Sequence, residues 1–238
     1  MQDDPHQPGE PRFYGRRTGR RLRAGRRRLL DTLLPAMAVR LPAGNATLDP
    51  RTLFDRPVRD VWLEIGFGAG EHLIAQARAH RRVGFIGCEP FINGVATLLA
   101  EVEAARPDQE LDNIRVHADD ARTLLPRLAE GSLGRVFVLF ADPWPKRRHH
   151  RRRIMAPDVL DTLARLLRDG GELIFASDDA SYVRWTLALL LRHPAYEWTA
   201  RRPSDWRRPP KDGFPTRYQE KAIETGRRPY YLVCRRIG

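Results

Sequence analysis

The chain has 238 residues, 42% of them apolar and 30% charged, enough for one ordinary globular core with an appendage. Its longest apolar runs, 136–141 and 187–191, fall far short of the roughly 20 residues of a membrane helix, and its two cysteines, Cys88 and Cys234, frame neither a disulfide scaffold nor a metal centre. A formal charge of +12, from 42 basic against 30 acidic residues, points toward phosphate-bearing partners.

Residues 1–10 are polar and partly acidic with no apolar run behind them, so no secretory signal or membrane anchor is expected. The setting expected is the reducing cytoplasm, with no obligatory protein partner. Residues 12–28 then hold nine arginines and no acid, and the run KRRHHRRR at 146–153 adds +6 with its histidines neutral. Together the two runs carry +15 and leave −3 on the rest of the chain. An arginine excess can reflect the base composition of the coding DNA, but here the charge is concentrated in two places. Both runs are expected to meet a nucleic-acid backbone.

Few large apolar side chains precede residue 29, so 1–28 reads mostly as a mobile arm. Residues 29–41 read as a short helix or extended connector, punctuated by Pro35 and Pro42. The organisation expected is a basic, partly disordered arm and connector at 1–45 and one domain at 46–238. Within that domain, β-rich runs at 61–65, 83–88, 114–117, 136–140 and 172–176 alternate with helical patterns near 71–79, 91–105, 121–129 and 157–168. The second helix places Phe91, Val95, Leu98, Leu99 and Val102 on one face. The fourth opens at Pro157 and is expected to stop at Gly170-Gly171. A helix near 181–192 and strands near 196–199 and 230–235 complete the pattern. The fold class expected is α/β: a mainly parallel, Rossmann-like, seven-stranded sheet with helices on both faces. A ligand then belongs beyond the carboxyl ends of the strands, at the switch in strand order.

The segment LEIGFGAGE puts Glu64, Gly66, Gly68 and Gly70 at that place. Glycines let the backbone turn sharply and approach a ligand. The dinucleotide pattern G-x-G-x-x-G is not met, because Glu71 stands where its third glycine belongs, and a carboxylate there disfavours a pyrophosphate. No nucleotide-triphosphate loop of the form G-x-x-x-x-G-K-[ST] occurs. A cationic ligand suits the acids better. Glu89 closes the second strand, where an acid can accept both ribose hydroxyls, and Asp119-Asp120 follows the third, within reach of an adenine amino group. This combination resembles the S-adenosylmethionine site of class I methyltransferases over roughly residues 60–200. Asp142 then ends the fourth strand beside the sulfonium, with Pro143 and Pro145 stiffening the turn and Trp144 offering a flat face to a base.

LEIGFGAGEHL, GCEP, DPWPKRRHHRRRI and FYGRRTGRRLR together resemble the bacterial tRNA (guanine-N7-)-methyltransferase family, from about residue 12 onward. The resemblance implies transfer of the methyl group of S-adenosylmethionine to N7 of guanine 46 in the tRNA variable loop. It implies that Glu64, Glu89, Asp120 and Asp142 contact the cofactor around Gly66, Gly68 and Gly70, and that Asp142 is also the catalytic residue. Lys146, Asp178, Thr216 and Gln219 match its substrate-contacting positions. Asp119, adjacent to Asp120, remains an alternative for the third acid. The family's late motif is Thr-x-x-Glu, whereas this chain reads Thr216-Arg217-Tyr218-Gln219-Glu220; either Gln219 takes the glutamate's place or a one-residue shift brings in Glu220.

Guanine N7 has an in-plane lone pair and needs no deprotonation, in keeping with a site rich in acids and without a placed nucleophile. His72, His117, His149 and His150 read as packed, surface or phosphate-contacting residues. Competing readings are a methyltransferase of another acceptor, which would not need both arginine runs, a dehydrogenase, which would need the missing glycine, and a non-enzymatic RNA-binding module, which would leave the strand-end acids unexplained.

Overall fold

All seven β-rich runs become strands of one sheet in the computed structural model, which describes residues 13–44, 46–106 and 111–238. Residues 1–12 of the expected arm lie outside this range. The strands are β1 (Asp60–Ile65), β2 (Val83–Cys88), β3 (Ile114–His117), β4 (Leu133–Leu139), β5 (Leu167–Ser177), β6 (Tyr196–Trp198) and β7 (Tyr230–Arg236). Their order is β3-β2-β1-β4-β5-β7-β6. β1 to β5 run parallel, and β7 is antiparallel to both β5 and β6. The order reverses between β1 and β4, so a crevice opens beyond their carboxyl ends.

The helices are α1 (Ala24–Thr32), α2 (Leu34–Met37), α3 (Glu71–Ala79), α4 (Ile92–Ala105), α5 (Ala121–Leu124), α6 (Pro157–Leu166), α7 (Ala180–Leu190), α8 (Ser204–Arg207) and α9 (Arg217–Glu224). The pleat splits β1 between two cores. Val61, Leu63 and Ile65 pack with apolar residues of α5, α6 and α7, whereas Trp62 packs with those of α1, α3 and α4. Glu64 shares the face of Trp62, which sets it opposite α3. Among the described residues no helix is long and apolar enough to cross a membrane.

Several boundaries differ from the sequence pattern, the largest at β5, which begins at Leu167 rather than 172 and takes in Gly170-Gly171, the pair expected to stop the preceding helix. α6 ends at Leu166 rather than near 168, because Leu167 already turns into the sheet opposite Leu133 and is buried there. The same pairing starts β4 three residues earlier than expected. α5 stops after Leu124, and Pro126 sits in a 3-10 turn that follows.

The basic segment 13–28, expected as a mobile arm, is laid against the domain. Arg17 accepts through its carbonyl from Ile92 N at 2.9 Å and pairs through its guanidinium with Asp119 at 2.8 Å. Asn93 bonds Gly19 N and the Arg20 carbonyl at 2.8 and 2.7 Å. α1 then buries Leu29 against α4. The sequence pattern missed this because the contacts are mostly backbone hydrogen bonds, which leave no apolar signature.

Candidate active site

The glycine turn after β1 has left-handed backbone at Gly66 (φ 76°), Gly68 (φ 60°) and Gly70 (φ 90°), which side chains other than glycine rarely adopt. Gly66 N donates to the Cys88 carbonyl at 2.8 Å, fastening the turn to the end of β2. On its Cβ side Gly66 meets nothing within 4 Å, whereas Gly70 is closed by Leu98. Gly94, at the start of α4, lies so close to the Gly68 carbonyl that no side chain fits there. No motif or periodicity in the chain signals this second glycine requirement.

Glu89 holds the same turn from β2. Its Oε2 accepts from Gly68 N at 2.8 Å and its Oε1 from Phe91 N at 2.9 Å. Each carboxylate oxygen can take a second donor, so capacity for a diol remains. Burial raises its pKa above the ordinary value, with the charges of Asp142 and Glu64 adding to the effect and the two N–H groups opposing it. Asp120 caps α5 by accepting from Arg122 N at 2.9 Å and is paired with the Arg122 guanidinium at 2.6 Å. Its neighbour Asp119 pairs with Arg17 instead.

Glu89, Asp120 and Asp142 line one cavity of about 650 Å³, together with Gly66 and Gly68. Glu64 is buried just behind this wall, with Oε2 at 2.8 Å from His72 Nδ1. Asp142 follows Phe140, whose φ of 55° is left-handed, and precedes Trp144, at φ 43°. Two non-glycine residues in that region within one loop mark stored strain, which is characteristic of ligand-binding turns.

The rest of the lining is aromatic and basic. Arg152 lies over Tyr14 at 4.6 Å and over Trp144 at 5.0 Å, and His149 meets Trp144 edge-on at 6.0 Å. Tyr14 and Trp144 are 6.5 Å apart in an edge-on arrangement. Tyr218 of α9, itself more than half exposed, completes the wall beside Gly68.

Four expected substrate residues are not on this wall. Lys146 is exposed ahead of the 3-10 turn Arg147–Arg152. Asp178 is paired with Arg227 at 2.7 Å. Thr216 is buried as the cap of α9 and accepts from Gln219 N at 3.0 Å. Gln219 and Thr216 face a smaller neighbouring cavity, lined also by His72, Gln76 and Phe214, that shares Leu139 and Phe140 with the main one. The sequence pattern did not single out Tyr14 and Tyr218; their interleaving with arginines was the available signal. Nor is the basic run uniform: Arg153 is buried rather than free for phosphate.

Burial pushes the Cys88 thiol well above its ordinary range, with Asp120 and Glu89 adding to it, so Cys88 is no nucleophile. His117 is held below its ordinary pKa by burial and is bonded to Thr123 at 2.8 Å. The lining therefore offers carboxylates, glycine backbone without side chains and aromatic faces, a set suited to a cationic ligand and a flat base.

Residues 58–232 match the protein-family model described as "Putative methyltransferase". The chain is 56% identical to the tRNA (guanine-N(7)-)-methyltransferase of Rhodospirillum rubrum, over 98% of this chain and 91% of that one. It is 49% identical to the protein of the same name from Paramagnetospirillum magneticum, over 95% and 93%. Among solved structures, the 16S rRNA methyltransferase KamB superposes with a TM-score of 0.56 at 17% identity, covering 79% of this chain and 91% of that one. That likeness shows the fold, the Rossmann-like architecture of class I methyltransferases.

Proposed function

Because the chain belongs to the tRNA (guanine-N(7)-)-methyltransferase family, we propose that it methylates N7 of guanine 46 in the variable loop of tRNA, with S-adenosylmethionine as methyl donor. The observation that carries this reading is the single cavity in which strand-end acids and a left-handed glycine turn share a lining with aromatic and arginine side chains. Acids and open glycine backbone fit a sulfonium nucleoside, and the aromatic and arginine side chains of the same lining fit a base on a phosphate chain.

In this reading residues 46–238 carry the transferase domain, and residues 1–45 the tRNA-contacting arm, of which 13–44 lie on that domain. The protein acts in the cytoplasm, with tRNA as its partner.

S-adenosylmethionine, when bound, supplies a methyl group made electrophilic by its sulfonium. Gly66 and Gly68 would give it backbone room, Glu89 would accept from the ribose hydroxyls, Asp120 would accept from the adenine amino group, and Glu64 would contribute charge from behind the turn. Asp142 accepts from N1–H and the amino group of guanine, holding N7 in line and balancing the positive charge that develops on the base. Trp144 packs on the base. No group needs to remove a proton from N7 before attack, so no general base is required there. Lys146, Asp178, Thr216 and Gln219 belong to the substrate side; with none of them on the cavity wall, they act on loop position and on tRNA outside the target base.

The test is reaction of the full chain with unmodified tRNA and labelled S-adenosylmethionine, followed by strand scission at 7-methylguanine. Scission at guanine 46 is expected. Methylation at another nucleotide overturns the position, and no methylation overturns the reaction. Asp142→Asn keeps the shape and removes the charge, so its turnover is expected to fall by at least about 10²-fold.

A further inference from the structure

Arg153 ends the second basic run, yet it is only 2% exposed. Its Nε–H donates to the Pro143 carbonyl at 2.8 Å. Its guanidinium lies over the rings of Tyr182 at 4.7 Å and Trp185 at 5.0 Å, both on α7. Among the described residues, neither Nη1 nor Nη2 has a hydrogen-bond partner. A charge withdrawn from water on so little pairing is a poor way to stabilise a core, since an apolar side chain of similar volume commonly serves as well. The ring faces offset part of that cost. The one hydrogen bond it makes is therefore the informative feature.

The Pro143 carbonyl belongs to the peptide that joins Pro143 to Trp144. Trp144 has left-handed backbone, and it precedes Pro145, which disfavours helical backbone in the residue before it. Such a conformation persists only where the surroundings over-determine it. Arg153 grips the plane of that peptide from inside and ties it to α7, which is packed on the sheet.

We propose that Arg153 is a positioning residue that sets how Asp142 and Trp144 face the target base, and that it is not a phosphate contact. This rests on Asp142 and Trp144 acting on guanine as described above.

Two variants of the full chain test it. Arg153→Met fills the volume without a donor. Arg153→Lys keeps the charge but loses the flat plate and the Nε–H. For each, the thermal midpoint, S-adenosylhomocysteine affinity, kcat and tRNA KM are measured. Arg153→Met is expected to melt no lower than the parent, to bind S-adenosylhomocysteine within about twofold, and to lose kcat by at least about tenfold with KM changed less than about threefold. Arg153→Lys is expected not to restore kcat.

A phosphate contact would give the reverse split, with KM raised and kcat kept. A purely structural arginine would lower the midpoint and the affinity together. Either result overturns the proposal, as does wild-type kcat in Arg153→Lys. Should Arg153→Met not fold, Arg153→Lys is judged alone by the same measurements, and failure of both to fold is the structural outcome. An unmodified protein that does not methylate tRNA defeats the functional reading itself; an active parent with an equally active Arg153→Met defeats this inference alone.

Discussion

The carboxylate of Glu64 and the imidazole of His72 meet at 2.8 Å in the interior, where the two residues are 4% and 3% exposed. Gln76 Nε2 donates to His72 Nε2 at 3.2 Å and to the Asp212 carbonyl at 3.0 Å. Nε2 thus carries the lone pair and Nδ1 the hydrogen that Glu64 receives. The chain of bonds leads from the glycine turn to the loop before α9, which bears Tyr218.

His72→Phe keeps an aromatic ring against Phe137, which His72 meets at 4.9 Å, but removes the hydrogen bond to Glu64. Loss of a bond to a charged acceptor costs about 1.5–3 kcal/mol, so S-adenosylhomocysteine should bind about 10–150-fold more weakly. Calorimetry measures this. Unchanged affinity would show that His72 merely fills space.

Cofactor affinity should depend on pH through Glu89. Burial, then Asp142 and Glu64, hold its carboxyl above the ordinary 4.5, so it protonates in the folded chain before a free glutamate does. A raised folded pKa favours the protonated native state. The cofactor-free protein therefore loses this contribution to stability as pH rises from the ordinary value through the raised one. Binding runs the other way, because only the ionised carboxylate accepts from both hydroxyls. Affinity for S-adenosylhomocysteine should fall as pH is lowered, starting above 4.5, and Glu89→Gln should flatten the profile. A parent profile that is level down to the ordinary value would contradict the assignment.

Tyr218→Ala should impair methylation more than Gln219→Ala, and Gln219→Ala more than Glu220→Ala. Tyr218 lines the main cavity, Gln219 the neighbouring one, and Glu220 is exposed. We expect kcat/KM to drop about 10–100-fold for Tyr218→Ala and less than about fivefold for Gln219→Ala, in line with how near each side chain stands to the base. An order led by Glu220→Ala would mean that the α9 cap is shifted by one residue when tRNA binds.

Arg147, Arg148 and Arg151 are exposed on the turn after Lys146, unlike Arg153. Replacing the three with glutamine should raise the tRNA KM and reduce the slope of log affinity against log salt by roughly 0.7–0.9 for each phosphate left without its arginine. Turnover at saturating tRNA should change less. A variant with the parental salt slope would show that this face does not touch RNA.

The strands were legible because a buried parallel sheet writes short β-branched runs, and β2 and β3 match the expected bounds at both ends. The strand-end acids were legible for the same reason: once the strands are placed, Glu89 and Asp120 can only lie at their carboxyl ends. Depth within a charge run was not legible. Arg152 and Arg153 are adjacent and alike in sequence, yet one stacks on Tyr14 and the other is sealed beneath the turn. Asp178 and Arg227 likewise meet only through the fold. Tyr14 was marked only by its place among arginines, because an aromatic outside any periodic element announces no direction.

β7 follows β6 in the chain but lies between it and β5. While the polypeptide is being synthesised, the edge of β5 therefore stands open through Leu173, Ile174 and Phe175 until residues 230–236 leave the ribosome. An apolar edge of that kind invites pairing with other nascent chains. The stretch between β6 and β7 also carries Tyr218, so the same late segment that precedes the missing strand supplies part of the cavity lining. Half-made copies that lack this stretch thus lack Tyr218 and the part of the cavity wall that it completes.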